Sequence, residues 1–78
     1  MSKKHELKSL PEYFNAVYIG AKTFEIRKND RDFKVGDTLV LKEIFSASKN
    51  FTGRSLEKKI TYITDYEQKE NYVVMAII

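Results

Sequence analysis

The stretch 20-GAKTFEIR-27 marks the point at which the sequence changes from a helical to an extended pattern. Gly20 is placed to end a helix in a left-handed conformation, which glycine adopts at little steric cost. From Lys22 onward polar and apolar residues alternate, so that Phe24 and Ile26 lie on one face and Thr23, Glu25 and Arg27 on the other. This stretch therefore predicts a helix end followed by a β-strand with one polar face.

The residues before this stretch predict one strand and one helix. The segment His5–Leu10 alternates loosely in polarity and indicates a first strand in which Leu7 contacts the core. A capping box then starts a helix over Pro11–Ile19, because Ser9 and Glu12 have the required spacing and proline suits the first turn. Apolar residues recur at the helical period along one face, at Leu10, Phe14 and Val17.

The residues after this stretch predict three more strands separated by turns. Runs rich in β-branched and apolar residues indicate strands at Thr38–Ile44, Leu56–Thr64 and Tyr72–Ile78, and the last run is apolar on both faces. Turn or loop composition occupies Asn29–Asp32, Val35–Asp37 and Ser46–Gly53. The segment Asp65–Asn71 fits either a turn or a short helical loop, and the sequence does not decide between the two.

Composition limits the classes of function. A chain of 78 residues with 42% hydrophobic residues predicts a single folded domain over residues 1–78, and a net charge of +3 permits an anionic partner without requiring one. The absence of cysteine and the single histidine exclude a disulfide, a thiolate metal site and a multi-histidine zinc site, and no cofactor is predicted. The N-terminus is polar, and the longest apolar run, Tyr72–Ile78, is too short to span a bilayer. Both features predict a cytoplasmic protein without membrane association.

The stretch 20-GAKTFEIR-27 fits the G-x-K-x-x-E-x-R signature of ASCH domains, a branch of the PUA-like superfamily, at all four signature positions. Flanking segments resemble a bacterial and phage ASCH-related family of unknown function; they are His5–Lys8, Lys28–Phe33, Val35–Asp37, Phe51–Arg54 and Tyr62–Tyr66. The resemblance implies a mainly β fold of the α+β class. It consists of a five- to six-stranded β-barrel with one or two short flanking helices and a cleft beside the barrel.

The activities found in the superfamily are RNA binding, recognition of modified bases, and hydrolysis of N4-acetylcytidine by a small amidohydrolase. The resemblance places Lys22 at the position of the hydrolase lysine, but Glu25 stands where the hydrolase has its nucleophilic threonine. Thr23 could replace that threonine beside Lys22 only if the strand bends there, because adjacent residues of a strand face opposite ways. Lys22 and Glu25 are therefore only weak catalytic candidates, and the sequence favours a binding protein over an enzyme.

Three residues of the signature are the first candidates for ligand binding. Arg27 suits a phosphate or a base edge, while Glu25 either orients it or accepts from a base amino group. The structural alternative is a salt bridge between the two, which lie on the same strand face. Lys22 could reach a phosphate, or it could simply be a lysine near the C-terminus of the helix.

Further candidates lie outside the signature. His5 is a candidate for stacking on a base, although a lone histidine is more often a satisfied, partly buried side chain. Asn29 most simply makes a turn. Tyr66, like Tyr13 and the other tyrosines, offers a surface for base stacking or for packing. Arg54, with scattered lysines such as Lys8, forms either a phosphate-tracking surface or a solvated face.

Three functions follow from these observations. The first is a module that binds RNA or a nucleotide through Lys22, Glu25 and Arg27, with DNA as a second choice of nucleic acid. The second is the amidohydrolase on a modified nucleoside, with Glu25 or Asp65 as general base. The third is a protein-interaction or phage accessory module in which the charged cleft is only structural. A monomer is favoured.

Overall fold

The computed structural model describes residues 2–78, which contain five strands and one short helix. The prediction of a mainly β chain with a short helix is confirmed, and the third predicted strand has the observed bounds. In chain order the elements are β1 (Lys4–Ser9), α1 (Pro11–Tyr18), β2 (Phe24–Lys28), β3 (Thr38–Ile44), β4 (Phe51–Thr64) and β5 (Tyr72–Ile77).

The strands form one mixed sheet in the order β1-β3-β4-β5-β2. β1 pairs with β3 in parallel, and the other neighbours are antiparallel. The long strand β4 pairs with β3 along its first part and with β5 along its second part. No backbone ladder joins β1 to β2 within residues 2–78, so the sheet is open between them and a closed barrel stays a prediction.

The core lies between the sheet and α1. Leu7 is buried as predicted, together with Phe14 and Val17 on the inner face of the helix. Alternate residues of β3 and β5 supply most of the rest of the core, because a strand turns every second side chain to the same face. The most deeply buried of these are Leu39, Leu41 and Met75.

The helix starts at Pro11 as predicted and ends at Tyr18, one residue before the predicted end at Ile19. Gly20 follows the C-cap with a φ of +82°, the left-handed conformation that glycine accommodates. The capping box is wrong, because the N-cap is Leu10 and no side chain of residues 2–78 caps the helix. Ser9 is instead the last residue of β1 and is buried, and its hydroxyl has no hydrogen-bond partner among residues 2–78.

The predicted polar loop Ser46–Gly53 is wrong in its second half. β4 begins at Phe51, which pairs with Ile44 of β3. In the tight turn between the two strands, the backbone N–H of Phe45 donates to the carbonyl of Asn50, and the N–H of Lys49 donates to the carbonyl of Phe45. The register shifts in this region, and Gly53 has a φ of +96°. Polar residues on the exposed faces of the irregular strand give it the composition of a loop.

β2 alternates as predicted, but its polar face is the buried one. Glu25 is only 2% exposed, whereas Phe24 and Ile26 are 43% and 48% exposed. The strand begins at Phe24, so Lys22 precedes it and its backbone N–H donates to the helix carbonyl of Ala16. This arrangement turns a carboxylate into the fold and leaves two large apolar side chains at the surface.

A candidate ligand-binding cleft

A cleft of about 610 Å³ opens where the two ends of the sheet approach each other. Its walls are the end of β1, the start of α1 and the segment from Lys22 to Arg27, which brings all three signature candidates together. The volume lies within the range of small-molecule sites, about 300–1,000 Å³. The predicted cleft therefore has a counterpart in the structure.

Glu25 is the centre of the cleft's polar network. One carboxylate oxygen, Oε1, accepts from Lys22 Nζ at 2.8 Å, and the other, Oε2, accepts from Arg27 Nε at 3.0 Å. The carboxylate side chain is 3% exposed, while the two cations are 19% and 29% exposed. A buried charge is tolerated when it is paired and hydrogen-bonded, and here the pairing also fixes the positions of both cations.

Both cations keep donors for a ligand. Arg27 has five N–H groups, of which the contacts among residues 2–78 engage one at Nε and one at Nη2, leaving three. Lys22 has three, of which one donates to Glu25 among the same residues, leaving two. The cleft therefore presents fixed positive charge with unused hydrogen-bond donors.

Arginine side chains bridge the open seam of the sheet. Arg27 on β2 donates from Nη2 to the backbone oxygen of Lys8 on β1 at 2.9 Å. Arg31, just beyond β2, donates to the backbone oxygen of Glu6 on the same strand. Two carbonyl groups of β1 thus accept hydrogen bonds from side chains instead of from a neighbouring strand. The cleft therefore lies in a gap between β1 and β2 that the hydrogen bonds from Arg27 and Arg31 bridge.

Two aromatic rings line the cleft beside the cations. Tyr13 on α1 and Phe24 on β2 are 50% and 43% exposed. The ammonium of Lys22 lies 5.2 Å from the first ring centroid and 5.5 Å from the second, within cation–π distance. The site therefore combines flat apolar surface with positive charge.

Ser9 lines the same cleft and has an unusual hydroxyl group. The residue is 3% exposed, and its Oγ has no hydrogen-bond partner among residues 2–78. Buried hydroxyl groups are normally paired, so an unpaired one at the wall of a cleft is a candidate ligand contact. The sequence offers no local signal for this, since Ser9 looks like a helix cap.

His5 lies in a different buried network. Its Nε2 is 2.8 Å from Oδ2 of Asp37, and its ring packs edge-on against Phe33 at 4.8 Å between centroids. Asp37 also accepts from the backbone N–H groups of Lys3 and Lys34. The hydrogen bond from His5 is the largest cause that holds the pKa of Asp37 below its usual value. The sequence interpretation placed Asp37 in a turn and missed this pair, whose members are 32 residues apart.

The remaining candidates are dispersed. Asn29 accepts from the backbone N–H of Phe33 at 3.0 Å and thus holds a turn, and the exposed Tyr66 lies in the turn before β5. The guanidinium of Arg54 lies 4.9 Å from the ring centroid of the helix residue Phe14. In the part of the chain that the structure describes, these three residues are not among those that line the cleft, whereas Ser9 and Phe24 are additions to the candidate set.

The described residues also bear on metal sites and membrane spans. Residues 2–78 contain no group of three His, Cys, Asp or Glu side chains arranged to hold a metal ion. Over the same residues, no helix has the length and apolar character needed to cross a membrane.

Comparison with known proteins relates this chain to a domain family and to a phage protein. A family model described as "Domain of unknown function (DUF3850)" matches residues 4–77. The chain is also similar to a protein of Escherichia phage P2 described as "Uncharacterized 12.9 kDa protein in GpA 3'region". The two are 43% identical over 76 residues, which cover 96% of this chain and 68% of the phage protein.

Proposed function

This chain belongs to the DUF3850 family of domains of unknown function, and we propose that its cleft binds a nucleotide unit, most suitably one within RNA. The observation that carries the proposal is the pair of cations, Lys22 and Arg27, that the buried carboxylate of Glu25 holds at the cleft wall with donors to spare. A nucleotide supplies the matching acceptors on its phosphate and on the edge of its base.

The charge and surface of the cleft favour this ligand class. Its ionisable lining consists of Lys8, Lys22 and Arg27 against Glu25, a formal balance of three positive charges and one negative, or +2. A guanidinium with free N–H groups binds phosphate in two-point contacts, which a lysine cannot imitate. An unpaired base is flat and stacks on exposed aromatic rings, here those of Tyr13 and Phe24.

The resemblance of residues 20–27 to the ASCH signature supports the same proposal. Under this proposal, the sheet of five strands is an incompletely closed PUA-like barrel. The arginine contacts to β1 bridge the strands at the seam. The signature glutamate and arginine then have complementary roles, because Glu25 positions Arg27 and Arg27 contacts both the seam and the ligand.

The geometry favours binding over the amidohydrolase alternative. A general base needs a carboxylate oxygen that can take a proton from the attacking group. Both oxygens of Glu25 already accept hydrogen bonds from cations, so each is directed at Lys22 or Arg27 rather than at an attacking group. Asp65 lines a separate pocket with residues of the turn before β5, outside the set that lines the cleft in residues 2–78.

The proposal is tested by measuring binding of fluorescent single-stranded RNA, hairpin RNA and single-stranded DNA to the wild type and to Arg27→Ala. We expect salt-sensitive binding by the wild type, and a loss of about tenfold or more in the variant, equivalent to roughly 1.4 kcal/mol. Lys69→Ala removes one positive charge from an exposed turn residue and serves as the control. Thermal melts establish that each protein is folded at the assay temperature. A wild type that binds none of the three nucleic acids would refute the proposal.

Replacement of Ser9 by alanine is expected to separate stability from binding. The variant should be as stable as the wild type or more stable by up to about 1 kcal/mol, because it removes a buried hydroxyl without a partner. Its affinity for RNA should fall about threefold to tenfold if the hydroxyl contacts the ligand. Chemical denaturation and the same binding assay measure both effects, with the exposed Ser46→Ala as control. Wild-type affinity in Ser9→Ala would remove this hydroxyl from the site.

A further inference from the structure

A second groove, of about 480 Å³, lies on the other side of Arg27 from the cleft. Positive residues dominate its lining: Lys8, Arg27, Arg31 and Lys42 stand against Glu6, a formal balance of four positive charges and one negative, or +3. Glu6 pairs with Lys42 at 3.3 Å but is itself 66% exposed, so water screens this pair. The groove therefore keeps a net positive charge.

An exposed aromatic ring lies in this groove between two of the cations. Phe51, the first residue of β4, is 56% exposed. The ammonium groups of Lys42 and Lys8 lie 5.4 Å and 6.0 Å from its ring centroid. An exposed ring flanked by cations is the combination with which proteins hold single-stranded nucleic acid, because each base stacks while its phosphate is neutralised.

The two concavities share residues. Lys8 and Arg27 line both the cleft and the groove, and the hydrogen bond from Arg27 Nη2 to the backbone oxygen of Lys8 lies between them. Because Glu25 fixes the Nε side of the same guanidinium, the remaining N–H groups of Arg27 are held at the boundary between the two sites. An anionic ligand in one site is thus adjacent to the positive residues of the other.

We propose that the cleft and the groove form one continuous binding track for a single-stranded oligonucleotide. One nucleotide occupies the cleft, the linking phosphate lies at Arg27 and Lys8, and the neighbouring base stacks on Phe51 with its phosphate near Lys42. This inference rests on the proposed function of the cleft and extends it, since it makes the ligand an oligonucleotide of at least two nucleotides rather than a free nucleotide. The charge and the exposed ring together favour nucleic acid over an acidic peptide, which has no base to stack.

The test uses two ligands and two groove variants of the full chain. The ligands are a nucleoside monophosphate, followed by NMR shifts of the β2 amides, and a short single-stranded RNA, followed by fluorescence anisotropy. Lys42→Gln and Phe51→Ala should each weaken RNA binding about tenfold and leave the affinity for the mononucleotide within about twofold of the wild type. Lys42→Gln should also lower the salt dependence of RNA binding by about one counterion, whereas Lys69→Gln, the matched control, should affect neither affinity.

The outcomes separate this inference from the function proposed for the cleft. RNA binding that is unchanged in both variants, with the mononucleotide still bound, overturns the track and leaves the cleft's function in place. Absence of wild-type binding to both ligands overturns both. An oligoglutamate peptide of equal charge that competes as well as the RNA would show charge attraction without stacking, and would also overturn the track.

Discussion

Replacement of Asp37 by alanine is expected to lower the free energy of unfolding by about 3 kcal/mol at neutral pH. The carboxylate is 3% exposed and accepts three hydrogen bonds, from His5 and from the backbone N–H groups of Lys3 and Lys34. Alanine leaves these three donors without their acceptor in a region that water barely reaches. Since a domain of this size is stable by only about 4–12 kcal/mol, the loss is a large fraction of the total.

The lowered pKa of Asp37 determines the direction in which its stabilising contribution changes with pH. The hydrogen bond from His5 is the main cause that lowers the pKa of Asp37, with the backbone donors adding to it and burial opposing it. The folded pKa therefore lies below the ordinary value of 3.8. The stabilising contribution is complete above that ordinary value and is lost as the pH falls through the lower folded pKa. In Asp37→Ala this part of the acid destabilisation should be missing.

Urea unfolding at several pH values between about 2.5 and 7 measures both effects. The curves of wild type and Asp37→Ala should converge at the acid end and separate toward neutral pH. Asp30→Ala, which removes a carboxylate that is 63% exposed, is the matched control and should remain close to the wild type throughout. Curves that run parallel over the whole range would mean that ionisation of the Asp37 carboxyl group adds nothing to stability.

The network around Asp37 also shows which kind of contact cannot be predicted from the sequence. Gly36 and Asp37 have the composition of a turn, and the backbone N–H of Asp37 does bond within that turn, to the carbonyl of Lys34. The side chain, however, reaches His5 in the first strand, because the parallel pairing of β1 with β3 brings residues 32 positions apart together. Local composition carries no information about such a pairing.

The candidate site was predicted in part for a similar reason. The spacing of Glu25 and Arg27 on one strand face is a local property, and their ion pair follows from it. Which face of β2 turns inward depends on the rest of the sheet, and the buried carboxylate with an exposed Phe24 reverses the usual hydrophobic pattern. Ser9 and the groove at Phe51 depend on the approach of β1 to β2 and on the length of β4, which are both long-range features.

Replacement of Glu25 by alanine is the second large effect, and it acts on stability and binding together. We expect the free energy of unfolding to fall by about 2–3 kcal/mol, because Lys22 and Arg27 would face each other in a partly buried cleft without the anion between them. Their partial exposure keeps the loss below that of a fully buried pair. RNA affinity should fall about tenfold or more, since the two cations lose the group that holds them in place.

Glu25→Gln distinguishes positioning from a bulk charge effect. The amide keeps the size of the side chain but replaces one acceptor oxygen by an NH₂ group, which cannot accept from Lys22 or from Arg27 Nε. If Glu25 acts by positioning, Glu25→Gln should lose affinity for RNA even though the net positive charge of the cleft rises. If charge alone governs binding, the same variant should bind RNA more tightly and with a steeper salt dependence.

A double-mutant cycle with Arg27→Ala completes the test. Removal of either member of the pair leaves the other without its partner, whereas removal of both relieves that cost. Glu25→Ala/Arg27→Ala should therefore be less destabilised than the sum of the two single variants, by about 1 kcal/mol or more. Additive losses of stability would show that the carboxylate and the guanidinium act independently. The buried carboxylate would then have no role in holding Arg27 at the boundary between cleft and groove, where both proposed sites require it.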